Sequence, residues 1–213
     1  MTAQNLPVFG LPGSWGRIDL ATEESVSRTV RSLVERRIGR ADEFAQTRAQ
    51  FREHLTKAAT LARESGGREF HFAYEIAPGI PFSATLVLTV PDIELSGAGA
   101  LGPAELSKQL GETLLGSGLI NDAASRVDTN DIRAIRSDYR RTVPAAGEIP
   151  EHEIIQADYW IAASFPARIA MMSFSTVFVA QRDLVVQLFD AIIGTVSWPR
   201  PKRTTQPALH ADE

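Results

Sequence analysis

The chain has 213 residues, 44% apolar and 23% charged, with 22 basic against 26 acidic side chains and a formal net charge of -4. That length supports one sizeable core, and so mild a charge does not indicate a nucleic acid or a membrane surface as a partner. The absence of cysteine excludes disulfides, thiolate metal sites and a cysteine nucleophile, so no oxidising compartment is needed.

Residues 1–13 carry Pro7, Gly10, Pro12 and Gly13 and read as an irregular N-terminal arm. They lack the basic start and apolar run of a signal peptide, and no later apolar run reaches the ~18 residues of a membrane span, so a cytoplasmic protein is expected. Trp15 to Leu20 reads as a short strand, and Thr22 with Ser25 caps a helix running to about Ile38. In a second helix Phe44, Arg48, Phe51, Leu55, Ala58 and Ala62 share a face, and Gly66 and Gly67 stop it. The period then changes to two. Phe70, Phe72, Tyr74 and Ile76 alternate with His71, Ala73 and Glu75, a turn spans Ala77 to Pro81, and Phe82 to Val90 alternates again, which predicts an antiparallel hairpin. After a glycine-rich break at Gly97 to Gly102, Pro103 to Leu115 places Leu106, Leu110 and Leu114 at helical spacing.

Asn121 to Asp131 reads as a turn-forming linker. Three strands follow, Ile132–Val143, His152–Ala163 and Arg168–Phe178, joined by connections too short for parallel pairing. Apolar groups on both faces of Ile154 to Ile161 predict a central strand covered on both sides. Val179 to Trp198 reads as a terminal amphipathic helix, with Leu184, Val185, Leu188, Ile192 and Val196 on its apolar stripe. The polar, proline-rich residues 199–213 read as a disordered tail. The expected object is an α+β domain over residues 14–198: an antiparallel sheet of about six strands flanked by helices on both faces, an α/β/α sandwich of order β-α-α-β-β-α-β-β-β-α.

The sequence holds no convincing catalytic or metal constellation. His71 and Glu75 share a strand face two pleats apart, too far for direct contact, so they form a polar pocket only with Arg68 or a ligand between them. Asn121 to Asp131 lacks the central glycine and final glutamate of a calcium loop. Ser117 lies at a helix end and not on a nucleophile elbow. His54, His71, His152 and His210 have no metal-ligand spacing. Gly97, Gly99 and Gly102 spell a dinucleotide fingerprint without the parallel strand it requires. Arg133, Arg136, Arg140 and Arg141 divide between the two faces of one strand, so they form no nucleic-acid platform.

Met171 to Thr176, Val179 to Ile192, the closing Thr195 to Trp198 and Gly13-Ser-Trp-Gly16 resemble the PsbP-like and Mog-like α/β/α superfamily, as topology over about residues 69–198. The two helices between Thr22 and Glu64 depart from that pattern, which usually has one. The resemblance implies a binding or assembly factor, chaperones for secreted effectors included, and no catalytic residues.

The function expected is therefore a non-enzymatic protein-binding adaptor or chaperone-like factor without cofactor or metal. It would present a sheet face or the N-terminal helix pair to a protein partner or a second copy. Phe44, Phe51, Phe70, Phe72, His71, Glu75 and Trp160 are the candidate partner or ligand surface. The alternative is a binder of small apolar ligands, of helix-grip type, with a cavity lined by Phe70, Phe72, Leu86, Met171 and Leu188. An enzyme using His71 with Glu75 is the remaining class.

Overall fold

The computed structural model describes residues 6–91, 101–121, 124–128, 132–145, 147, 149–163 and 168–198. Strand β1 (Ser14–Asp19) leads into helix α1 (Glu23–Ile38). A capping box fixes the helix start: Thr22 Oγ1 accepts from the Ser25 amide and Ser25 Oγ from the Thr22 amide, both at 3.0 Å. After a 3₁₀ turn comes α2 (Ala45–Glu64), and Gly66, at φ 84°, turns the chain into β2 (Gly67–Ala77). The remaining elements are β3 (Ile80–Pro81), β4 (Ala84–Thr89), α3 (Pro103–Gly116), β5 (Ser125–Asp128), β6 (Arg133–Val143), β7 (His152–Ala163), β8 (Arg168–Thr176) and α4 (Arg182–Ile193).

The protein is thus α+β, as its sequence indicates, with one fully antiparallel sheet in the order β1-β2-β4-β8-β7-β6-β5 and β3 attached to β2. Two meanders, β1-β2-β4 and β5-β6-β7-β8, are zipped together along β4 and β8, where Leu86 faces Phe174 and Leu88 faces Met172. The eight strands among the described residues exceed the expected six by β3, which lies in the proline turn, and β5, which lies in the run expected to be a linker. Asn and Asp favour turns locally. Pairing of Ser125–Asp128 with Arg133–Arg136 overrides that preference.

Each face has its own core. On one, Val26, Val30 and Leu33 of α1 and Leu55, Ala59 and Ala62 of α2 bury Ile18, Phe70 and Phe72. At the other end of the same face Leu106, Leu110 and Leu114 of α3 cover Ile135, Trp160 and Ile169. On the opposite face α4 sets Val185, Phe189, Ile192 and Ile193 against Leu86, Tyr159, Met172 and Phe174. Phe174 stacks on Phe189 at 4.5 Å between ring centroids and meets Tyr159 edge-on at 5.6 Å. Each such fully buried side chain stabilises the fold by about 1.5–3 kcal/mol. The stripe of α4 runs through Phe189, so Leu184, placed on it from the sequence, falls at its edge and is 68% exposed.

The arm lies across the α4 side, with Leu6, Phe9 and Leu11 packed on that core. Val8 and Ser197 exchange two backbone hydrogen bonds at 2.8 Å, and the Gly10 amide donates to Thr195 Oγ1 at 2.8 Å. The expected disordered tail, and all of the Gly97–Gly102 fingerprint before Leu101, lie outside the described residues.

Candidate functional site

The seven residues proposed from sequence do not form one surface. Phe70 and Phe72 are buried beneath α1 and α2, and Trp160 beneath α3, so these three belong to cores and are not offered to a partner. Phe51 is half-buried and meets the Phe72 ring edge-on at 6.3 Å. Only Phe44, just before α2, is largely exposed. His71 is buried on the α4 side of the sheet. Its partner is Glu69, not Glu75.

His71 Nε2 lies 2.8 Å from Glu69 Oε2, and Arg17 on the neighbouring strand donates to Glu69 Oε1. Alternation explains the pairing: Glu69 is one pleat from His71 on the same face, whereas Glu75 is two pleats away at the bulged end of β2. Burial by itself pushes the Glu69 carboxyl up, but the hydrogen bonds and charges of His71 and Arg17 hold it below its ordinary value of 4.5. Leu6, Pro7, Val8, Phe9 and Leu11 of the arm roof this group, leaving a cleft of about 400 Å³, and Phe9 meets the His71 ring edge-on at 5.4 Å.

A second surface lies on the other face. Following the register outward from Phe72, one row runs Thr85, Ser175, Gln156, Tyr139; from Phe70, the next runs Val87, Ser173, Asp158, Ser137. Paired residues share a face, so the side that is apolar under the helices becomes polar over β4, β8, β7 and β6. These side chains are half-buried, apart from Tyr139, which is 41% exposed. They are tied to one another. Asp158 accepts hydrogen bonds from Ser173 Oγ at 2.5 Å, Gln156 Nε2 at 3.2 Å and Tyr139 Oη at 3.4 Å, and the Thr85 and Ser175 hydroxyls are 2.6 Å apart. Burial, together with the Asp158 charge, raises the Tyr139 phenol, which stays protonated as a donor. The sequence held the signal for this floor: β7 and β8 carry Gln156 and Asp158, and Ser173 and Ser175, at a spacing of two.

The five residues expected to line one apolar cavity are divided between the faces. Phe70, Phe72 and Met171 lie with the helix-covered side, Leu86 and Leu188 with the α4 side. Among the described residues, no three His, Asp or Glu side chains group as a metal site would need, and no helix is long and apolar enough to cross a membrane. Comparisons with protein-family models, with curated proteins and with solved structures give no match.

Proposed function

We propose that this is a non-enzymatic adaptor or chaperone-like binding protein whose partner docks on the sheet face over β4, β8, β7 and β6. The observation that carries this is the ordered polar floor, with Tyr139 standing at its outer edge. Exposed tyrosine on a rigid scaffold is a common anchor at protein interfaces. The floor's carboxylate is occupied by three donors of the floor itself, which suits recognition better than general-base chemistry. Obligate homodimers use more apolar surfaces, so the polar character favours a transient, heterologous partner over a second copy. The test is site-specific photo-crosslinking in the host, with the crosslinker at position 139 and, as control, at Lys57, exposed on α2. One discrete protein adduct from 139, absent from 57 and lost when Ser175→Arg blocks the floor, is expected. Identical adducts from both positions, or none from a folded 139 variant, would overturn the proposal, and an adduct of two copies would reassign the face to self-association.

The cleft beneath the arm favours a second reading, a small ligand with an apolar body. Its walls are Leu6, Phe9 and Leu11, and its polar groups, Arg17, Glu69 and His71, converge at the base. Apolar pockets with a few convergent polar groups are the usual form of small-molecule sites.

A further inference from the structure

A sheet presents unpaired backbone donors and acceptors along its outer strands, and here a long stretch of such edge belongs to β6. Strand β5 pairs only with Arg133 to Arg136, and Ala124, which leads into it, is drawn onto the α3 core. Among the described residues, Ser137 to Val143 therefore pair with β7 alone, in a register that runs without a break. Tyr139, Arg140, Arg141 and Thr142 on this stretch are all exposed. The strand at the opposite edge, β1, is shorter and carries a bulge between Ser14 and Trp15, a device that discourages pairing.

The side chains along this edge are basic. Alternation puts Tyr139 and Arg141 on the side of the polar floor, and Arg140 and Thr142 on the α4 side with Asp138. On β7 the two arginines face Ile155 and Ile154, so neither has a carboxylate opposite it. Glu153, diagonal to Arg140, forms no ion pair with it among the described residues. Arg136, by contrast, is paired with Asp190 and Asp138, and Asp138 also with Arg182. A second copy of the chain does not suit this edge. Antiparallel pairing of two such edges, centred on this stretch, sets Arg140 against Arg140 or Arg141 of the copy, and like charges directly opposite one another repel.

We propose that the edge of β6 from Ser137 to Val143 takes up an extended acidic segment of a partner protein as a further strand of the sheet. Main-chain hydrogen bonds to the open edge supply the pairing. Arg140 and Arg141, one on each face, select adjacent acidic residues, since successive side chains of a strand point to opposite faces. Edge charges deter apolar segments and copies of themselves, so an acidic strand is the occupant that both the backbone and the side chains accept. The inference rests on the adaptor reading for there being a protein partner, but not for the floor as the place of contact.

The experiment is an NMR titration of the full isotope-labelled chain, following the amides of Ser137 to Val143. The probes are the acetylated and amidated peptide Thr-Val-Glu-Glu-Val-Thr-Val, its Lys-Lys counterpart, and a form of the acidic peptide N-methylated at every residue, which keeps the charges but can donate from neither edge. Saturable shifts at these amides are expected from the acidic peptide, with affinity about tenfold or more above that of the basic one, because two attractive cross-strand pairs replace two repulsive ones. The methylated form should lose binding. Arg140→Glu combined with Arg141→Glu, at two exposed positions, should reverse the preference between acidic and basic peptides. Equal affinities for the two charges, retained binding of the methylated form, or no saturable shift along the edge would overturn the proposal. Ser175→Arg, which blocks the floor, should leave the peptide's affinity unchanged, so the two readings fail separately: a crosslink from the Tyr139 position that Ser175→Arg abolishes can persist where the edge binds nothing.

Discussion

A carboxyl as deeply buried as Glu69 would take up a proton readily were it alone. His71 and Arg17 prevent this, and the consequence is a pH dependence of stability. Because the folded-state pKa lies below the ordinary 4.5, the contribution is fully present above that value and is lost as pH falls through the lower, folded value. Acid unfolding followed by circular dichroism should therefore show a limb below about pH 4.5 that Glu69→Gln flattens. At neutral pH the same variant should be less stable by about 1–3 kcal/mol, mostly through His71, since Arg17 is 63% exposed and its share is screened. Alternation alone sets Glu69 one pleat from His71 on one face, opposite Phe70 and Phe72. Which elements cover that face depends on long-range packing: the preceding helices lie over Phe70 and Phe72, and the arm lies over His71.

Helix α4 is held both by its apolar stripe and by ionic contacts with the sheet. Asp190 accepts from Tyr159 Oη at 2.8 Å and from Arg136 at 2.5 Å. Asp138 pairs with Arg182, and Arg136 Nε lies 3.1 Å from Asp138 Oδ1, near enough for an ion pair though not aligned as a hydrogen bond. Burial first, then Asp190, pushes the Tyr159 phenol far up, so this hydroxyl is a permanent donor. Asp190→Ala should lower unfolding free energy by about 2–4 kcal/mol, because it strands that hydroxyl and leaves the Arg136 guanidinium with Asp138 alone. Adding Tyr159→Phe should restore about 1–2 kcal/mol in a denaturant-melt double-mutant cycle. Equal losses in the single and double variants would count against the clamp. Period and caps made α1, α2, α3 and the long strands legible from residues alone. β5 was not legible, because it is a strand only through its pairing with β6. The polar positions of β7 and β8 are visible within each strand, but their alignment into one floor is set by the register between strands, which no single strand shows.

At the scale of the whole molecule the sheet is covered unequally: helices close one face at its two ends, while α4 and the arm close the other. Removing residues 1–12 should leave secondary structure intact by far-UV circular dichroism, because the stripe of α4 fills its side of the sheet without the arm. It should unroof His71, whose modification by diethyl pyrocarbonate, mapped by peptide mass spectrometry, would rise to a rate comparable with that of exposed His54. Unchanged protection of His71 would show that the arm is not its cover. The arm's attachment also bears on the order of folding. Gly10 and Thr195 are 185 residues apart in sequence, and closing so long a loop is entropically unfavourable until the intervening chain is compact. Docking of the arm is then expected late in refolding, and its release is a local opening that leaves the pairing of the sheet in place. An amide such as Val8, whose hydrogen bond exists only when residues from the two ends of the described chain meet, serves as a clock for the completed protein.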